Sequence, residues 1–240
     1  MTEKTEKKER IAKVIAAAGL CSRRMAEQWI AAGRVQVNGT CLTTPACLVD
    51  ESDIVCVDNQ PIQGKQESRL WCYYKPTGLV TTHKDPQGRP TVFETLPAYL
   101  PRVISVGRLD LNSEGLLLLT TDGALARKLE HPSKGWKRKY RVRVHGVIPP
   151  NMIQKLSKGI TVAGIRYAPC DVMVERTQAT NSWLLITLTE GKNREIRKLM
   201  DSFGLKVTRL IRIAYGPFQL GHLAKGEVRE VTKKAMKELL

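Results

Sequence analysis

Acidic residues are in short supply in this 240-residue chain: 23 Asp and Glu stand against 39 Lys and Arg, for a formal net charge of +16. Such a deficit says little about fold but favours a polyanionic partner, either nucleic acid or an anionic membrane surface. Long hydrophobic runs are missing too. No apolar segment approaches the roughly 18 residues that cross a bilayer, and Met1–Arg10 is highly charged and lacks the apolar core of a secretory signal. The membrane reading therefore loses and nucleic acid leads. Metal-ligand patterns are absent as well. Cys21, Cys41, Cys47, Cys56, Cys72 and Cys170 form no Cys-x-x-Cys pair, and no histidine stands at finger spacing. No metal is expected, and the thiols read as reduced and structural. A Gly-rich loop followed about 20 positions on by an acidic residue is lacking, which argues against a methyltransferase. The His-x-Glu and Pro-Cys-x-x-Cys pair of a zinc deaminase is lacking too.

What is present is ordinary in amount and informative in arrangement. The hydrophobic fraction is 42%, enough for a real core. Thr2–Glu9 is charged and reads as a tail. Ile11, Val14, Ile15 and Ala18 recur at helical spacing before Gly19. Ser22 can cap a second helix through Met25, Ala26, Trp29 and Ile30, ended by Gly33. Val35 and Val37 alternate before the Asn38-Gly39 turn, and Asp53–Val57 reads as another strand.

This unit resembles the S4 RNA-binding module over Arg10–Ile62, on the strength of Leu20-Cys21-Ser22-Arg23-Arg24 and Gly33-Arg34-Val35-Gln36-Val37-Asn38-Gly39. The resemblance implies that Arg23, Arg24 and Arg34 contact RNA. Arg23 and Arg24 stand near a helix N-terminus, where backbone N–H groups can also meet a phosphate.

Residues 63–69 are polar and read as a linker. From residue 70 to residue 240, short strand-like segments dominate: Val103–Val106 and Tyr140–Val144 alternate, Leu116–Thr120 is a short apolar run, and Ile160–Val162, Cys170–Val174, Trp183–Thr189, Lys206–Ile211 and Tyr215–Leu220 read as further strands. Helical patterns are few, at Ala124–Leu129, Met152–Leu156, Arg194–Phe203 and Ala235–Leu239. The expected class is α+β: a small αβ domain over residues 10–62, then a larger domain with a mostly antiparallel mixed sheet.

Three segments of the larger region carry chemistry. In Gly107-Arg108-Leu109-Asp110 a carboxylate follows a cation on a turn-like segment, and an apolar run comes soon after. Lys134–His145 interleaves Lys134, Lys137, Arg138, Lys139, Arg141 and Arg143 with Trp136 and Tyr140. Glu190–Met200 is charged and precedes Arg209-Leu210-Ile211-Arg212. Cations that neutralise phosphates beside rings that stack on unpaired bases suit single-stranded RNA. A lone carboxylate amid such charge suits a catalytic group acting on a polyanion.

From Leu70 to about Val231 these segments, with Lys75-Pro76-x-Gly78, Asp85-Pro86-x-Gly88-Arg89-Pro90-Thr91, Arg138-Lys139-Tyr140 and Gly191-Lys192-Asn193-Arg194-Glu195-Ile196-Arg197, resemble the bacterial ribosomal-RNA pseudouridine synthases. That family has one branch for small-subunit RNA and another for large-subunit RNA. The resemblance implies isomerisation of an RNA uridine. Asp110 is then the nucleophile or base at the ribose of a flipped-out nucleotide. Tyr140 contacts the base, Arg197 holds Asp110 ionised by charge pairing, with Arg194 as the competing partner, and Leu210 packs beneath the uracil. Lys75, Arg108, Arg138, Lys192, Asn193 and Arg194 join the RNA contacts, while Glu114 and Asp122 are structural. The reaction transfers no group and changes no redox state, so no cofactor is implied. His131-Pro132-Ser133 and the Asp85–Pro90 segment look more like the second branch, hence 23S ribosomal RNA. The same reaction on 16S RNA, or a non-catalytic RNA-binding assembly factor, are the alternatives. A cytoplasmic monomer without membrane contact completes the expectation.

Overall fold

The computed structural model describes residues 8–131 and 135–239, so most of the expected tail, and Lys134, lie outside the described residues. The chain divides into two compact units.

The first unit comprises residues 8–69 together with Tyr99–Ile104 and Thr121–Leu125. It opens with β1 (Glu9–Arg10), α1 (Ile11–Ala17) and α2 (Arg23–Ala31). Ser22 Oγ accepts from Met25 N at 3.2 Å, the expected N-cap, and Gly19 and Gly33 follow the two helices at positive φ. Five short strands follow: β2 (Val35–Val37), β3 (Thr40–Cys41), β4 (Leu48–Val49), β5 (Val55–Val57) and β6 (Gln60–Pro61). Four of them form a sheet in the order β3-β2-β5-β6, and β1 pairs with β4. Ile11, Ile15, Ala26, Ile30, Val35, Val49 and Val55 fill the core. Each aliphatic side chain fully buried there contributes roughly 1.5–3 kcal/mol. Residues 63–69 are tied down: Lys65 pairs with Asp122 at 2.8 Å, and Thr121 Oγ1 donates to Glu67 O at 2.7 Å.

The second unit is built on a nine-stranded sheet. From residue 70 the elements are β7 (Leu70–Lys75), β8 (Ile104–Val106), β9 (Glu114–Thr120), α3 (Gly123–Glu130), β10 (Arg138–His145) and α4 (Met152–Lys158), of which Ile104 and Gly123–Leu125 belong to the first unit. A hairpin of β11 (Thr161–Val162) and β12 (Ile165–Arg166) precedes β13 (Asp171–Gln178), β14 (Asn181–Leu188) and α5 (Glu195–Asp201). The chain closes with β15 (Lys206–Tyr215), β16 (Phe218–Gln219), β17 (Val228–Glu230) and α6 (Lys233–Leu239). Strand order is β13-β14-β10-β15-β9-β7-β17, with β8 beside β9 and β16 beside β15. The α+β class therefore holds. Antiparallel pairing joins β7 to β9, β10 to β14 and β15, and β13 to β14, whereas β9 and β15 run parallel.

Two sequence expectations change. The segments expected as strands at Lys206–Ile211 and Tyr215–Leu220 are instead one ten-residue strand, β15, and the short β16. No breaker interrupts residues 206–215, and the turn waits for Gly216-Pro217, where Gly216 has φ +53. The helix expected from Arg194 begins at Glu195, because Arg194 is left-handed at φ +51.

The β9–β15 pair depends on one glycine. Gly115 has φ +105, and a Cβ there would lie 2.3 Å from Arg212 O and 2.7 Å from Arg212 N. Gly115→Ala is therefore expected to cost more than about 2 kcal/mol, through both strain and collision. Denaturant unfolding checks this: a stability within about 0.5 kcal/mol of the parent contradicts the close approach.

Candidate active site

Asp110 stands on the loop between β8 and β9, and that loop is fastened by its backbone. Lys75, at the end of β7, has no solvent exposure. Its Nζ donates to the carbonyls of Pro76 at 3.0 Å, Asp110 at 3.2 Å and Ser113 at 2.9 Å. Thr81 Oγ1 donates to Leu109 O at 2.8 Å, and Gly78 N donates to Leu111 O at 2.9 Å. Gly107 N donates to Glu130 Oε1 at 2.6 Å, and Arg197 Nη2 donates to Asn112 O at 2.8 Å. With its backbone fixed in this way, the loop presents the half-buried Asp110 side chain to a cleft of about 510 Å³. Among the described residues, that carboxylate makes no hydrogen bond or ion pair.

Lys75 is thus corrected from a phosphate contact to a buried post. An ammonium with no exposure cannot reach RNA, and the apolar run of β7 that precedes it carries it into the interior. Burial pulls its pKa down to about 8, although Asp110 and Glu114 favour its charged form.

The cleft gathers much of what the sequence nominated. Tyr140, 9% exposed, enters from β10, and Leu210 and Arg212 enter from β15. Tyr140 is the register partner of Arg212, and Val142 that of Leu210, so period-2 alternation places Tyr140, Leu210 and Arg212 on one face. Arg108, Arg138, Lys192, Asn193 and Arg194 line the same cleft. Five cations there (Arg108, Arg138, Lys192, Arg194, Arg212) face three acids (Asp110, Glu130, Glu195), a field that favours a phosphodiester. Lys192 also pairs with Glu190. Arg138 donates to Thr189 O and Tyr215 Oη, both at 3.3 Å.

Arg197 is placed differently from the expected ion pair. Its guanidinium donates to Val207 O at 3.2 Å and Asn112 O at 2.8 Å, and no direct bridge to Asp110 forms. Burial, then Arg194, lowers its proton affinity, while the charge of Asp110 opposes them. Arg197 is therefore tied to the Asp110 loop through the Asn112 carbonyl, and the two charges interact through space.

Other expectations shift with packing. Trp136 lies edge-on to Tyr215 and tilted against Phe218, each at 6.1 Å between centroids, so its ring packs inward rather than against a base. In the first unit Arg23 and Arg24 are exposed, whereas Arg34 is held by Asp58 at 2.8 and 2.5 Å and lies 4.8 Å over the Trp29 ring. Glu114 is structural as expected. Burial opposes its charge, but Arg209, Lys225 and Tyr74 together bring its pKa down to about 2.

Two cleft groups had no role assigned from sequence. Arg212, 3% exposed, donates from Nε to Leu116 O at 2.7 Å and lies 5.2 Å from the Tyr215 ring centroid, while its Nη2 is buried without a partner. Its position two residues after Leu210 on a strand was the available signal. Glu195 caps the turn before α5 by accepting from Lys192 N at 2.8 Å, and its Oε1 is unpartnered. Burial pushes this carboxyl above the ordinary range, and Glu190 adds to the effect.

Comparison with known proteins identifies the family and the two domains. Residues 69–202 match the family described as RNA pseudouridylate synthase, and residues 9–63 match the S4 domain. A protein named as an uncharacterized RNA pseudouridine synthase of Rickettsia bellii is 54% identical over 95% of this chain and 99% of its own length. The ribosomal large subunit pseudouridine synthase B of Salmonella typhi is 42% identical over 88% of this chain and 75% of its own. A crystal structure of a pseudouridylate synthase superposes with a TM-score of 0.68 at 25% identity, over 96% of this chain and 99% of that one.

Proposed function

The chain belongs to the RNA pseudouridylate synthase family, and from that premise we propose that it converts a uridine of large-subunit ribosomal RNA to pseudouridine, with Asp110 acting at the ribose. It is an RNA pseudouridine synthase that also carries an S4 domain. The observation that carries the finer reading is Asp110 itself: an unpartnered carboxylate on an immobilised loop, sharing a cationic cleft with Tyr140 and Leu210.

The reaction breaks the C1′–N1 bond, turns the uracil and forms C1′–C5. The proton lost from C5 balances the one gained at N1. Asp110 serves either by attacking C1′ or by removing a ribose proton. A uridine must leave its stack to enter the cleft. There Tyr140 offers a flat face and Leu210 an apolar floor, while Arg108, Arg138 and Arg194 meet phosphates. The S4 unit adds affinity beside the target through Arg23 and Arg24, which raises the effective concentration of the correct site. Large-subunit RNA is favoured by the Asp85–Pro90 segment and by the names of the relatives from Salmonella typhi and Pseudomonas aeruginosa.

Incubating the protein with 23S and 16S transcripts and mapping pseudouridine tests this. Modification of 23S at a defined uridine is expected. Modification of 16S alone transfers the substrate, and no product on either RNA removes ribosomal RNA as substrate.

The Asp110 supports are separable. Arg197→Met is expected to lower the single-turnover rate about 100-fold, since it frees the Asn112 carbonyl and removes the nearby charge. Arg194→Met, at an exposed cleft residue, is expected to weaken RNA binding with a smaller change in rate. The reverse order in a rate-against-concentration series assigns the supporting role to Arg194.

A further inference from the structure

The strands that carry the cleft residues have a second face. Side chains alternate across a strand, so where Tyr140, Val142 and Val144 point inward from β10, Arg141, Arg143 and His145 point outward and are exposed. Pairing aligns Arg143 with Trp183 of β14 and with Arg209 of β15, and Trp183 with Arg176 of β13. A row Arg176–Trp183–Arg143–Arg209 therefore crosses four adjacent strands. It spans three inter-strand steps, about 14 Å.

The row borders a recess of about 200 Å³, also lined by Gln178 and Asn181. One neighbour of the row and its end member are committed: Arg141 pairs with Glu175 at 2.7 Å and Arg209 with Glu114 at 2.6 Å. Their guanidinium carbons also lie 4.7 and 6.0 Å from the Trp183 ring centroid, which fixes the indole. Arg143 and Arg176 are the reverse. Both are exposed, and among the described residues neither guanidinium has a hydrogen bond or an ion pair. The carboxylates nearest the row, Glu175 and Glu114, are thus already paired, while two guanidinium groups beside a half-exposed indole are left uncompensated. Cations with a flat ring and side-chain amides match phosphodiester and base together.

We propose that this outer face of the sheet is a second RNA-binding surface, holding another segment of the RNA whose target uridine enters the cleft. The proposal rests on the reading of the cleft given above. The cleft field accounts for contacts at the target itself, and Arg143 and Arg176 lie outside that cleft. An RNA is favoured over an acidic protein because the enzyme's substrate is an RNA, and its length lets it occupy both faces.

The test compares Arg143→Gln/Arg176→Gln with Lys155→Gln/Lys158→Gln, which removes the same charge from exposed positions on α4. Binding of a 23S transcript and of an oligouridylate is measured over a series of salt concentrations. Losing two phosphate contacts is expected to make the slope of log K against log salt shallower by about 1.4 for single-stranded RNA, with affinity roughly tenfold weaker at low salt. The lysine pair is expected to change affinity less than about twofold. Equal losses from both pairs reduce the surface to general charge and overturn the proposal. So does unchanged RNA binding, including the case where a polyglutamate competitor alone loses affinity. Melting curves establish that both forms fold, and the single variant Arg176→Gln, on the edge strand, repeats the test with half the slope change. Binding is read, not isomerisation. A wrong substrate assignment therefore shows as equal affinity of the parent for 23S and 16S transcripts, without touching the slope comparison.

Discussion

Asp110→Asn is expected to reduce the single-turnover rate by on the order of 10⁴-fold or more, the scale on which removal of a nucleophile falls. Folding should be indifferent to it. The carboxylate has no hydrogen-bond partner among the described residues, and the loop is held by its backbone through Lys75, Thr81 and Arg197. Stability within about 0.5 kcal/mol of the parent is expected. RNA affinity should stay within a few-fold or rise, because one negative charge leaves a cationic cleft. One local consequence is measurable: Asp110 favours the charged form of Lys75, so the amide variant should lower the Lys75 pKa further below about 8. A variant that retains a substantial fraction of the parent rate removes Asp110 from the chemistry, whatever its affinity.

Lys75→Met should have the second-largest effect, and of a different kind. Methionine fills much of the space but donates nothing, leaving the carbonyls of Pro76, Asp110 and Ser113 without their shared partner. Asp110 O keeps its bond from Ser113 N at 3.0 Å, while an unsatisfied buried carbonyl, as at Pro76 and Ser113, costs about 1–3 kcal/mol. Relief of the buried ammonium offsets part of that, so a net loss of about 3 kcal/mol is expected. The rate should fall about 100-fold, since a displacement of about 1 Å at the reacting group is that costly. RNA affinity and its salt dependence should not move, because Lys75 is inaccessible. A lower affinity with an unchanged rate would restore Lys75 as a phosphate contact. The pH dependence has a definite sign. The folded-state pKa of about 8 lies below the ordinary 10.5, so the unfolded chain binds this proton more tightly. The penalty is complete below about pH 8 and fades as pH rises toward 10.5. The parent should therefore gain stability relative to Lys75→Met across that window.

Much of this protein was legible before any coordinates. Spacing alone placed α1 and α2 with the Ser22 cap, because helix periodicity and capping are local properties. A short alternating run placed β10, because the pleat puts every second side chain in the core. The motif Gly107-Arg108-Leu109-Asp110 singled out the carboxylate, and net charge pointed to RNA. Local chemistry could not say where each cation would go. Lys75 and Arg108 look alike in one dimension, yet one is fully buried and the other exposed. The difference lies in which carbonyls the fold delivers to the ammonium. Arg197 reaches Asn112 across 85 residues, and Arg212 reaches Leu116 across 96. The Arg212 contact exists because β9 and β15 pair in parallel at Gly115, a long-range match that no window of sequence encodes. Periodicity and composition are summed over neighbours in the chain and are determined by the sequence itself. The partner of a charged group is decided by neighbours in space, and only the tertiary structure supplied those.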